Sequence, residues 1–190
     1  MITKKITTCL TVLCLALLLM SSCSNSTDTK ELAEESNDEK FDRKGEKAAD
    51  QLVDAYSGNL YEVKVSENAS LNAVDPEVKK IAAMMVDAHS KMNVDIATLA
   101  SQKNITLPSD LTDDQRNRIE KLTEKTGLDY DKEYISEMKD KHEKTIKRLE
   151  RASEKCEDPE VQTWATNILP EVRHHLDMIN TAHENLKNRN

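Results

Sequence analysis

Residues 75–100 read "DPEVKKIAAMMVDAHSKMNVDIATLA", and this stretch decides the fold. Asp75 is placed to cap a helix, and Pro76 suits the first helical position, where its missing N–H has no helical partner to lose. Val78, Ala82, Met85, His89, Met92, Ile96 and Leu99 then recur at alternating four- and three-residue spacing. That is the stripe of a helix packed in a left-handed bundle. One position in the stripe, His89, is not apolar.

Working outward, the same grammar repeats. Asp158 and Pro159 open a helix over 159–187 with the stripe Val161, Ala165, Ile168, Val172, His175, Ile179, Ala182 and Leu186. A helix over 129–156 carries Ile135, Met138, His142, Thr145, Leu149, Ala152 and Cys156. A first helix over 44–70 carries Ala48, Leu52, Ala55, Asn59, Glu62, Ser66 and Ala69. Gly58 inside it costs up to ~1 kcal/mol relative to Ala, which points to a kink or a close approach. Between the second and third long helices, Thr112 and Gln115 form a capping box for a short helix over 112–126, with Gly127 expected as its C-terminal cap. No segment reads as a strand. The expected fold is an all-α four-helix bundle with a short crossover helix.

Composition agrees: aromatics are 3% of the chain and there are only 3 glycines, as befits helices. The N-terminus, "MITKKITTCLTVLCLALLLMSSC", pairs Lys4 and Lys5 with an apolar run too short for a mature span, and ends in a lipobox-like Ser-Ser-Cys. Residues 1–22 are therefore expected to be a lipoprotein signal peptide and Cys23 a lipidated N-terminus, anchoring the chain to a bacterial membrane, most simply the outer membrane. Residues 23–43 are too polar to bury surface and are expected to be a disordered acidic tether, leaving 44–187 as the bundle. After removal of 1–22, 25 basic residues face 35 acidic ones, a formal charge of −10. Such a chain repels phosphates, and nucleic-acid binding is not expected. Cys156 is left without an intramolecular disulfide partner and reads as a small apolar residue, no base being paired with it.

The stripes place His89, His142 and His175 at core positions, one per helix. At ~1.5 Å per residue, His89 and His142 each lie about 20 Å into their helices, and an antiparallel hairpin brings His142 and His175 level within ~3 Å. Glu62 fits this register less well, at about 12 Å from a turn that His89 clears by about 20 Å. Buried imidazoles and carboxylates need partners. Two arrangements supply them. In one, they bond to each other, to Asn59, Tyr61 or Tyr134, or to trapped water, as a register-fixing polar layer. In the other, Glu62, His89, His142 and His175 converge on a single transition-metal ion. Met85, Met138 and Met178 fall one turn from these histidines; thioether with imidazole suits copper(I), although Met at this spacing also fills cores. His174 and His183 fall off the stripes, and Pro170 should bend the last helix beside the polar layer.

The blocks "AYSGNLYEVKVSENA" (55–69), "PEVKKIAAMMVDAHSKMN" (76–93), "TLPSDLT" (106–112), "LDYDKEYISEMKDKHEKTI" (128–146) and "ILPEVRHHLDMI" (168–179) resemble the domain of unknown function 4142 family. The resemblance implies a ferritin-like fold and an envelope location. It also places the family's first-helix Glu and three later His on Glu62, His89, His142 and His175. It implies no activity. The only Glu-x-x-His is Glu171 to His174, so the paired motif of di-iron ferritins is lacking and iron storage is not expected. Neither a Ser/His/Asp ordering nor a phosphate loop stands out, so no enzymatic activity is expected. The functional expectation is a non-enzymatic envelope lipoprotein acting as a binding or stress-related module. Its alternative is a bundle that binds zinc, copper or iron for sequestration or redox protection.

Overall fold

The computed structural model describes residues 28–189. The proposed signal peptide and Cys23 lie outside them. Six helices follow in order: α1 Thr29–Asp38, α2 Arg43–Asn72, α3 Pro76–Gln102, α4 Asp113–Thr123, α5 Gly127–Lys155 and α6 Pro159–Lys187. Among the described residues no strand occurs and no helix is long and apolar enough to cross a membrane.

The punctuation works as the sequence implies. Asp75 accepts from the backbone N–H of Glu77 and Val78, and Asp158 from those of Glu160 and Val161, so each Asp-Pro pair starts a helix. Thr112 and Gln115 close a reciprocal capping box on α4. Gly127 differs from expectation. The short helix ends at Thr123, and Gly127, at φ +61°, opens α5 instead of closing α4. Thr126 is extended, so the chain must turn sharply at the next residue, and glycine takes a positive φ without steric cost.

Four long helices build the bundle as two antiparallel hairpins, α2–α3 and α5–α6. The 24 residues between α3 and α5 run the length of the bundle and include α4. Gln115 Nε2 donates to Ser57 Oγ at 3.1 Å, tying α4 to the middle of α2. Near the start of α5, buried Asp131 accepts from the backbone N–H groups of Val74 (3.0 Å) and Asp75 (2.7 Å) at the α2–α3 turn. α3 and α5 therefore start at the same end and run parallel, which is the ferritin-like connection.

The tether expectation fails over part of its length. Residues 29–38 form α1, in which Ala33 and Asn37 are each 1% exposed. Asn37 Nδ2 donates to Thr106 O at 2.9 Å while its Oδ1 accepts from Thr106 N at 2.8 Å. Composition hid this because, beside polar links from Thr29, Lys30 and Ser36 to distant residues, the docking uses one alanine, in a cluster with Ala49, Val53 and Ile105, and one asparagine that mimics a backbone pair. Neither gives a hydrophobic signal.

The apolar core divides in two. One half joins Tyr61, Val65, Ile81, Met85, Tyr134, Met138 and Ile179 toward the α2–α3 turn. The other half, toward the opposite end, holds Leu52, Val53, Ile96 and Val161, with Met92, Leu149, Ala165 and Val172 beside them. A polar layer lies between the halves.

Candidate metal centre

That layer consists of Asn59 and Glu62 from α2, His89 from α3, His142 from α5 and His175 from α6. Glu62 is 4% exposed, His89 and His142 1%, and His175 2%. The three imidazole rings sit with centroids 5.5, 5.5 and 5.7 Å apart. One nitrogen from each ring lies within 4.8 Å of the others. Glu62 Oε2 is 3.0 Å from His89 Nε2 and 3.9 Å from His142 Nε2.

Glu62, the poor fit by register, is thus inside the layer. Helical side chains lean toward their own N-terminus. In an antiparallel pair, Glu62 therefore leans away from the α2–α3 turn and His89 leans toward it. The axial gap counted from backbone positions closes through the side chains. Asn59, one turn earlier on α2, then lies level with the His89 ring.

Hydrogen bonds set the tautomers. His89 Nδ1–H donates to Asn59 Oδ1 at 2.9 Å, and His142 Nδ1–H donates to Met138 O, one turn back on its own helix, at 2.9 Å. With a proton on Nδ1, each ring when neutral turns a bare lone pair on Nε2 toward the centre. His175 differs: its Nε2 lies 3.9 Å from Glu171 Oε1, too far to bond, and its Nδ1 is buried and unpartnered. Glu62 Oε2, His89 Nε2, His142 Nε2 and His175 Nδ1 are all buried without a hydrogen-bond partner. The Nε2 atoms of His89 and His142 are thus turned toward Glu62, and the buried Nδ1 of His175 has no hydrogen bond to fix its proton.

Electrostatics sharpen the point. Burial pushes the His175 pKa down to about 3, helped by His89 and His142 beside it. Burial likewise lowers His89, outweighing the carboxylate of Glu62. Burial raises the Glu62 carboxyl, but the imidazoles of His89 and His142 offset this and its pKa falls below the ordinary value. Burial thus favours neutral imidazoles at His89 and His175, while the Glu62 carboxylate depends for its charge on a positive neighbour. An uncompensated negative charge there is costly, and a cation relieves it.

The remaining singled-out residues are elsewhere. Met85, Met138 and Met178 pack in the apolar half nearer the α2–α3 turn, so their spacing is that of core filling. His174 is exposed, and Glu171 beside it is too, so the Glu-x-x-His pair faces solvent. Cys156 is a half-buried free thiol at the end of α5. Pro170 is exposed and α6 continues through it. Asn59 is the layer residue that sequence reasoning gave only a generic bonding role; its place in the α2 stripe one turn before Glu62 was the available signal.

A ferritin-like helical bundle with one carboxylate and three imidazoles buried in its core is the class that fold and layer define. A family model, the domain of unknown function DUF4142, matches residues 30–182. The chain belongs to that family. Neither the curated proteins nor the solved structures contain a match to it.

Proposed function

We propose that this bundle binds one transition-metal ion through Glu62, His89, His142 and His175. The observation that supports it best is the convergence of three buried imidazole nitrogens within 4.8 Å, with Glu62 Oε2 against two of them and no hydrogen bond satisfying any of these atoms. Nδ1–H groups anchored on carbonyl oxygens, as at His89 and His142, are the outer-shell arrangement that orients metal-ligating histidines. Three neutral imidazoles and one carboxylate suit zinc, copper or a single iron, with bonds of about 2.0–2.2 Å once the rings close in slightly. The absence of sulfur donors from the set favours zinc, copper(II) or iron(II) over copper(I). The role is to hold the ion, for sequestration or redox protection at the cell envelope, where a lipid on Cys23 anchors the chain to the outer membrane.

The test uses the chain from Ser24 onward, purified without a histidine tag. Its metal content is measured, and its melting temperature is followed with zinc, copper and iron. A stoichiometric ion and a raised melting temperature, both lost in His142→Ala with His175→Ala, are expected. No thermal response to any of the three ions, or an unchanged response in the double variant, refutes the proposal.

A further inference from the structure

A cavity of about 50 Å³ adjoins the layer. Glu62, His89 and Asn59 form one wall, and Met92, Leu149 and Val172 form an apolar one. Trp164 also lines it, and the indole Nε1–H is buried without a partner. Gly58 borders the same space, and a Cβ built on it would meet nothing within 4 Å. Asp54 and Arg148, paired at 3.3 Å, border both this cavity and a surface groove of about 640 Å³. The ion pair thus lies between the surface groove and the cavity, which Gly58, Glu62 and His89 also line.

The size and chemistry of this space select an occupant. A water needs roughly 10–15 Å³ of such volume, so the cavity has room for about three to five waters, and a molecule of two or three heavy atoms fits it. One side offers Glu62 and His89 of the layer, the rest is largely apolar, and Trp164, whose indole N–H has no partner, is among the lining residues. Gly58 leaves part of this lining without a side chain at a position where alanine would favour the helix. The glycine that is costly to α2 is thus placed where a side chain would fill the approach.

We propose that the ion at this centre keeps one coordination position facing the cavity, and that it takes a small linear ligand of two or three heavy atoms. Such a ligand binds the metal at one end and accepts a hydrogen bond from Trp164 Nε1–H near the other. This rests on the metal-binding reading above. It adds that the site is open on one side, as structural sites with four closed protein ligands are not.

The probes are cobalt(II) and azide. Full-length chain is recovered in detergent and loaded with cobalt(II); metal per chain is measured, and the visible spectrum is titrated with azide. Wild type should hold one cobalt and show a saturable shift of its d–d bands. Gly58→Leu should keep its cobalt and lose the azide response. Trp164→Phe, which removes the donor without touching α2, should weaken azide by about 3–10-fold, the range of one hydrogen bond. A cobalt-loaded wild type indifferent to azide overturns the inference while leaving the metal reading standing. So does a cobalt-loaded Gly58→Leu that binds azide as wild type does. Should Gly58→Leu not hold cobalt, an unchanged azide affinity in Trp164→Phe overturns it alone. Wild type that binds no cobalt removes both readings.

Discussion

At the scale of single residues, the account turns on where protons sit. Asn59 decides this for His89: by accepting from Nδ1–H it keeps the Nε2 lone pair pointed at Glu62. Asn59→Ala should therefore weaken zinc binding about 10–100-fold, the usual cost of losing an outer-shell partner, with the bundle intact by circular dichroism. The metal-free protein should also be acid-sensitive. Unfolded histidine titrates near 6.5, while folded His175 stays neutral down to about 3. Between those values the unfolded state binds more protons, so stability is full above about 6.5 and falls as pH drops toward 3. Melting temperature followed from neutral to acid pH should fall along that window, and the fall should be shallower in His175→Leu. The layer's membership was readable because each histidine interrupts an apolar stripe at core spacing. Glu62's reach was not, because backbone counting omits the lean of side chains along a helix.

At the scale of elements, α1 and α2 make the sharper claims. Gly58 lies inside α2 with open space where its Cβ would be. Gly58→Ala should therefore stabilise the protein by roughly 0.5–1 kcal/mol, read as a higher melting temperature or denaturant midpoint. Asn37 carries α1 through two hydrogen bonds to one backbone residue. Asn37→Ala leaves the Thr106 N–H and carbonyl unpaired, at a cost of about 1–3 kcal/mol. Hydrogen exchange should then rise across residues 29–38 before the long helices respond. The long helices were legible from Asp-Pro starts and stripe periodicity, which depend on local chemistry and on one packing face. α1 was not, since its anchoring rests on distant partners, Asp54, Thr106 and Asp110, and no local pattern encodes that.

At the scale of the whole molecule, two antiparallel hairpins meet across a polar layer, and the split core makes that layer a structural seam as well as a candidate site. The parallel placement of α3 and α5 follows from the 24-residue crossover, so it was implied once four helices and one short one were counted. Membrane attachment is a separate claim carried by Cys23. Cys23→Ala should release the protein from the membrane fraction or block its processing, and unchanged partition on fractionation would contradict the anchor. The central claim is that Glu62, His89, His142 and His175 share one ion. X-ray absorption fine structure of the zinc-loaded chain tests it most directly. The account predicts three imidazole nitrogens at about 2.0–2.1 Å, a carboxylate oxygen and no sulfur. A sulfur shell near 2.3 Å, or fewer than two imidazoles on the zinc, would contradict it.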